Sequence, residues 1–492
     1  MGPSRRRRAR SLARRLAAEL APAAVRRPPA ETTKGRPPSE TPSGTSKGRP
    51  PGPRGWPYFG CLNGLLRNPM KFWSSIANRY GGIARVPLMK GHVAYLVSDP
   101  DLLYELLITN RNKYRKNIRY RAAVELFGHG LLLNEGEAWK RQRLMSQPAF
   151  KADYIAAQVP WMVQLTAKFL DGWRAFAADG RVHDVDADFL DLSQTLAGYY
   201  LMGPGFEPIA ERFCRAAIAV KDQWPQPPRS VRQLMRRRGD GWTEGLAAAV
   251  RDIDACITEY LVAERRRDFA GAGLVKMLVD GSRAQNDEFD DRSLRDQILT
   301  VFFAGHETTA TSLSWIHYLL DQHPEALRKL RTEVAEVLGG RAPTSLDLER
   351  LVYTEQVINE ALRLYSPIHS LSRVALEDDT IGGYHIPAGA TIYVSLYATH
   401  RLPSLWPQPD RFDPERFTPE QVERRPRFAF IPFAAGHRNC VGASTAIVEL
   451  KLAVAMIAQR YELKLQPGHR VEGEAGTTMH PRYGMNMTIR AI

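Results

Sequence analysis

Cys440 lies in the stretch Phe433-Ala-Ala-Gly436-His437-Arg438-Asn439-Cys440-Val441-Gly442, whose residue types and spacing suit one kind of chemistry. A cysteine thiolate is a soft, electron-rich axial ligand for the iron of a flat, dianionic metal cofactor, and it pushes electron density that favours O–O cleavage. Gly436 and Gly442 permit a tight turn and a close backbone approach that a Cβ would obstruct. Backbone N–H groups in such a turn can donate to the sulfur and tune the metal. Arg438 can reach a carboxylate on the cofactor rim, while Phe433 can shield the thiolate from water. The plain alternative is a buried structural cysteine, the common fate of an isolated thiol.

A second group with chemical potential is Ala304-Gly305-His306-Glu307-Thr308-Thr309. It lies in a periodic stretch that predicts one helix from about Asp291 to Gln322, with Asp290 as N-cap and Pro324 just past the end. At 1.5 Å per residue such a helix is roughly 48 Å long, enough to cross a whole domain. Ile298 to Ala304 is apolar nearly all round, as a buried helix requires. A mid-helix glycine costs about 1 kcal/mol relative to alanine, so Gly305 calls for a packing or functional reason. Glu307 could still be a solvated helix acid and Thr308 filler. His306 reads as a packing or water-contacting neighbour rather than a ligand.

Glu360-Ala361-Leu362-Arg363 places an acid and a base three apart on one helix face, on a helix expected from near Thr354 to before Pro367. Phe412-Asp413-Pro414-Glu415-Arg416-Phe417 follows downstream. These segments, in this order, resemble the cytochrome P450 family. The Cys440 loop matches that family's Phe-x-x-Gly-x-Arg-x-Cys-x-Gly pattern at each defined position, and the resemblance spans roughly Pro50 to Ile492.

The resemblance implies haem b (iron protoporphyrin IX) with Cys440 as its metal ligand and Phe433, Gly436, Arg438 and Gly442 around it. It implies that the long helix crosses the distal haem face, where Ala304 and Gly305 leave room for dioxygen and Glu307 with Thr308 delivers protons. Glu360, Arg363 and Arg416 would form a buried structural triad. Trp139 and Arg143 fit the family's Trp-x-x-x-Arg pattern for a propionate, and Arg373 stands where a further propionate partner is carried, although Arg373 alone also reads as a surface arginine. The implied fold is mainly α with a small β-rich subdomain.

The remaining elements agree with that fold class. Strand patterns appear at Ile83 to Leu88 and His92 to Val97 around a Gly91 turn. A further pair is expected on either side of Pro387-Ala388-Gly389, near Tyr384 and at Thr391 to Ser395, and a last set after Lys464. Nearly everything from about Pro100 to Tyr365 reads helical. Trp224-Pro225-Gln226-Pro227-Pro228 breaks two helices where the family carries a mobile lid. Expected pocket walls are Tyr120 to Phe127, Phe303 and Ala304, Ile368 to Leu371, and Thr477 to Met479. They are mostly apolar, which suits a lipophilic substrate.

The 492 residues carry a net charge of +15, but residues 1–55 hold fourteen Lys/Arg against three Asp/Glu, a balance of +11 that leaves +4 for the rest. Basicity is therefore a property of the tail and does not argue for nucleic acid. Residues 1–55 read as a disordered extension, and 56–492 as one haem domain. No run of about 20 apolar residues predicts a transmembrane anchor. The Arg-rich, acid-poor start resembles a mitochondrial transit peptide, but a cytoplasmic bacterial-type enzyme is the preferred expectation. Cys61, Cys214, Cys256 and Cys440 show no paired spacing for zinc or a redox dithiol.

The family reading makes the chain a monooxygenase that inserts one oxygen atom from O2 into a C–H bond or a C=C of a fatty acid, terpenoid or steroid. Electrons would come from a separate ferredoxin or flavodoxin with its reductase, docking a monomer near Arg424, Arg425, Arg427, Lys140 and Arg141. The alternatives are a peroxide-using haem-thiolate hydroxylase and a non-catalytic haem sensor or carrier, neither of which needs the Glu307–Thr308 pair.

Overall fold

The computed structural model describes residues 48–492 apart from 90, 118–120, 226–227, 237–241, 272 and 285–289. Residues 1–47, Tyr120 and the centre of the Pro-rich break therefore lie outside the described residues. Pro50 is buried, and the Arg85 amide donates to the Pro51 carbonyl at 2.8 Å, so the end of the expected extension, from about Pro50, already packs on the first strand.

The long helix runs over Asp291–Gln322 as expected, with the Asp290 carboxylate accepting from the Ser293 amide at 2.7 Å. Of the helices that reach the site, α1 is Gly136–Ser146, α2 Ala152–Asp179, α3 Val185–Met202, α4 the long helix, α5 Val352–Leu364 and α6 Ala443–Arg460. Helix α4 packs along α3 and buries Ile298, Leu299, Phe302, Leu313, Trp315 and Ile316. Helices α2, α5 and α6 close the core around Leu313, Trp315 and Ile316 with Trp173, Ile358 and the nearly all-apolar run Leu450 to Ala458, while Ile298, Leu299 and Phe302 belong to a second core. A helix buried on all sides must be apolar all round, and α6 is so from Leu452 to Ala458. Where α4 crosses the molecule its apolar jacket opens, leaving Ala304 exposed between half-buried Phe303 and Gly305.

The β part is small. Strands β1 (Ile83–Met89) and β2 (His92–Val97) form the expected antiparallel hairpin. With β3 (Tyr114–Lys116), β5 (Ser370–Ala375) and β8 (Thr391–Ser395) they make one sheet in the order β1-β2-β8-β5-β3, with β2 and β8 parallel. Strand β4 (Val182–Asp184) joins β9 (Tyr461–Leu465) through β12 (Asn486–Ala491). Thus β3 and β4 interrupt the region of which nearly everything reads as helical.

The strands around Pro387-Ala388-Gly389 exist, but they do not pair with each other. Strand β7 (Tyr384–Ile386) pairs with β6 (Asp379–Ile381), while β8 lies between β2 and β5. The turn closed by the Ala390 amide on the Pro387 carbonyl, with Gly389 at φ +77°, hands the chain to another sheet instead of folding it back. The last strands, β10 (Gly473–Ala475) and β11 (Met479–Pro481), form a hairpin whose tip faces α4.

The buried triad expected from the sequence is assembled. Glu360 and Arg363 are both fully buried, joined by bonds of 2.7 and 2.8 Å from the guanidinium to the two carboxylate oxygens. Arg363 also donates to the carbonyls of His400, Pro409 and Arg411. Arg416 lies 3.4 Å from Glu360 and caps the carbonyls of Pro407 and Gln408. One acid thus pins α5 to the segment leading to the Cys440 loop. A charge taken so far out of water survives only when its hydrogen-bonding capacity is satisfied.

Candidate functional site

The Cys440 loop is shaped by a short set of backbone bonds. The Cys440 amide donates to the Phe433 carbonyl at 2.9 Å, and the Asn439 amide to that of Gly436 at 3.0 Å. Gly436 has φ +78°, and a Cβ there would fall 2.3 Å from the Leu107 carbonyl oxygen, so no other residue fits this turn. Gly442 differs from expectation. Its φ of −88° is open to any residue, and an added Cβ would meet Phe150 at an ordinary 3.6 Å. Its N–H bonds the Cys440 sulfur, and it is the N-cap of α6, so the thiolate sits at the positive end of an 18-residue helix.

Cys440 is exposed as a residue, and the protein packed around its sulfur raises the thiol above the ordinary value, against the lowering effects of the Gly442 N–H and Arg143. Phe433 is half-buried beside it against the helical core.

The expected carboxylate-binding cations converge on one side of this loop. Arg143 on α1 donates to the Asn439 carbonyl at 3.0 Å and to its side chain at 2.9 Å. Arg438 stacks over Trp139 at 3.8 Å, donates to the Asn134 carbonyl and pairs with Glu135. Arg373 on β5 is buried and bonds the carbonyl of its own neighbour, Ser372, at 3.0 Å. Lys116 on β3 joins them, which the sequence did not signal. Burial and the nearby Arg438, Arg373 and Arg143 push its ammonium down to about 8, with only Glu135 opposing. Burial also lowers Arg143, Arg373 and Arg438. Four desolvated cations around one carboxylate are short of negative charge, and two further carboxylates would supply it.

Helix α4 carries Ala304, which is exposed, and Gly305, Glu307 and Thr308, each half-buried. Thr308 Oγ1 donates back to the Ala304 carbonyl at 2.8 Å, the i−4 bond that bends helices. Gly305 would accept a Cβ at 3.8 Å from Ala197, so packing within the protein does not demand glycine there. Glu307 accepts from Thr478 Oγ1 at 2.9 Å, a residue of the β10–β11 tip. His306 turns away, buried against Phe302 with Nδ1 2.8 Å from that residue's carbonyl.

Below α4, Thr309 Oγ1 lies 3.3 Å from Glu449 on α6. Burial pushes the Glu449 carboxyl up to about 7, eased by that hydroxyl. Glu449 could not be found from the sequence, since it meets its partner across well over a hundred residues, whereas Thr478 lies within the expected Thr477 to Met479 segment and only its bond to Glu307 is new.

The suggested docking cations divide. Arg424, Arg427, Lys140 and Arg141 are exposed. Arg425 is not free for a partner. It is half-buried over Trp406 at 4.1 Å and Phe417 at 4.8 Å, and it donates to the Arg416 carbonyl.

The site's chemistry fits a thiolate-ligated haem, with a carboxylate-hungry rim on one side and an acid–alcohol pair on the other. Comparisons with known proteins agree. The family profile described as Cytochrome P450 matches residues 50–482. Cyclooctat-9-en-7-ol 5-monooxygenase of Streptomyces melanosporofaciens is 32% identical over 418 residues, 84% of this chain and 89% of that protein. Cytochrome P450 4A24 of Sus scrofa is 30% identical, covering 81% of this chain and 82% of its own length. The crystal structure of a cytochrome P450DA heme domain superposes with a TM-score of 0.78 at 24% identity, over 90% of this chain and 96% of that one.

Proposed function

Because the chain belongs to the cytochrome P450 family, as a monooxygenase with haem b, we propose that it oxygenates a lipophilic terpenoid or fatty-acid-like substrate with electrons from a ferredoxin-type protein. What supports the substrate class is the composition of the expected pocket segments, where Phe303, Ala304, Ile368, Leu371 and Met479 are apolar. The relatives named for a terpenoid alcohol and for cyclooctatin synthesis support the terpenoid arm.

Haem b, when bound, supplies dioxygen activation. In this reading Cys440 Sγ is the metal ligand, held by the Gly442 N–H and the α6 N-terminus. Arg143, Arg373, Arg438, Lys116 and the Trp139 indole hold the propionates. Phe433 excludes water from the sulfur. Ala304 and Gly305 keep the distal face of α4 low, and Thr308 Oγ1 and Glu307 Oε1 hold and pass protons there. General acid assistance of this kind is worth about 10²–10⁴-fold in rate. Exposed Arg424, Arg427, Lys140 and Arg141 support an acidic electron donor. Among the described residues no helix is long and apolar enough to cross a membrane. A cytoplasmic location and a monomeric state complete the reading.

The test is a screen for substrate-induced spin-state change against terpenoids, fatty acids and steroids, followed by turnover with a ferredoxin and its reductase. A low-to-high-spin shift and a monooxygenated product from one of these classes supports the assignment. A response confined to small polar compounds, or turnover with peroxide and none with the ferredoxin system, contradicts it.

A further inference from the structure

The Cys440 loop is entered through a strained turn. Ala434 sits at φ +59°, a left-handed conformation that a residue with a Cβ holds only when its surroundings fix it. Its amide donates to the Ile431 carbonyl at 3.0 Å, and the Cys440 amide closes the loop on the Phe433 carbonyl at 2.9 Å. Among the described residues, one backbone hydrogen bond ties residues 430–435 to the rest of the fold. The Ile431 amide, in a buried residue, donates to His400 Nε2 at 3.0 Å.

His400 is itself firmly held. It is fully buried just after the helical turn Leu396–Thr399 that follows β8. Its amide donates to the Leu396 carbonyl at 2.8 Å, and its carbonyl accepts from Arg363 of the buried triad, also at 2.8 Å. Its ring packs on Phe430, with centroids 5.3 Å apart. An imidazolium has no acceptor, so a ring that receives an amide at Nε2 is neutral and carries its own proton on Nδ1. Burial, with Arg363 and Arg401 nearby, acts in the same sense and pushes the ring down to about 3.

We propose that His400 is a positioning residue for the haem ligand: its Nε2 fixes the register of the segment entering the loop and, through Ile431 and Ala434, the place of Cys440. This rests on Cys440 being the ligand. Phe430 also packs on Phe417 at 4.7 Å and on Trp406 at 6.4 Å. Such apolar contacts are non-directional and press the segment down without setting its register, whereas a hydrogen bond is directional and does. Without the acceptor the Ile431 amide would be buried unpaired.

The experiment compares haem-loaded, full-length wild type, His400→Gln and His400→Asn. Glutamine can bring a carbonyl oxygen to the Nε2 position, while asparagine ends near Nδ1 and falls short of Ile431. In His400→Asn, deuterium exchange of the peptide spanning residues 430–440 should quicken about tenfold, and the thiolate band of the reduced carbon monoxide complex should decay about tenfold faster. His400→Gln should recover most of both. Equal change in the two variants would make His400 a packing residue and overturn the proposal, as would wild-type behaviour in His400→Asn. Should His400→Asn fail to keep haem, nitrogen-15 NMR of the wild-type carbon monoxide complex, with His400→Gln assigning the signal, decides the matter. The Nδ1–H tautomer is expected, and an Nε2–H tautomer or an imidazolium overturns the proposal. A wild type without any thiolate band would instead remove Cys440 as the ligand, while exchange and tautomer would still decide whether His400 anchors the loop.

Discussion

Replacing Glu449 by glutamine should make the protein more stable at alkaline pH and leave it unchanged at acid pH. Glu449 is 8% exposed, sits between α6 and α4, and has the Thr309 hydroxyl as its polar partner. Its carboxyl is raised from an ordinary 4.5 to about 7. A raised acid favours the folded state while it is protonated, so its contribution is fully present below pH 4.5 and is lost as pH rises through about 7. At 1.36 kcal/mol per unit, the loss comes to roughly 3 kcal/mol. With unfolding entropy scaling with chain length, that is a melting shift of about 3 °C for a protein of this size. Glutamine has nearly the shape of the protonated acid and no charge to bury. Melting of haem-loaded wild type and Glu449→Gln should therefore coincide near pH 4.5 and diverge by about 3 °C by pH 8, with the variant higher. Parallel curves across that range, or a variant less stable at pH 8, would refute the buried-acid reasoning.

Thr308→Ala should keep haem and substrate affinity but divert most reducing equivalents into hydrogen peroxide, measured as product formed per NADPH consumed; unchanged coupling would remove Thr308 from proton delivery. Arg363→Lys cannot reproduce five bonds from one planar fork, so a destabilisation of about 3–5 kcal/mol is expected, seen as poor haem retention and a lowered melting temperature, and wild-type values would make the triad dispensable. Charge reversal of Arg424, Arg427 and Lys140 together should slow ferredoxin-driven turnover several-fold at low salt while sparing peroxide-driven turnover. Equal loss in both assays would point to a folding defect instead.

How far these features were legible in the sequence depended on whether their causes were local. The limits of α4 could be read because its N-cap, Asp290, and its terminator, Pro324, lie beside it in the chain. The Cys440 loop was legible for the same reason, its turn requiring glycine at Gly436 within four residues of the sulfur. Gly442 shows the limit of that logic, since its backbone is ordinary and the protein itself leaves room for a side chain. The strands on either side of Pro387-Ala388-Gly389 were legible because turn chemistry is local, whereas the partners of β8 are β2 and β5, which the local sequence does not name. Lys116 and Glu449 carry no motif and gain their character from what folds against them. Arg425 looked like one of three surface cations until Trp406 and Phe417 were seen to cover it.

The central claim is that Cys440, of the four cysteines, is the thiolate ligand of haem b. The most direct measurement is the absorption spectrum of the reduced carbon monoxide complex of wild type and Cys440→Ala, alongside Cys61→Ala, Cys214→Ala and Cys256→Ala. The account predicts a red-shifted Soret band in wild type and in the last three variants, and its absence in Cys440→Ala. A band that survives in Cys440→Ala, or that is lost with any of the other three while haem remains bound, would contradict it.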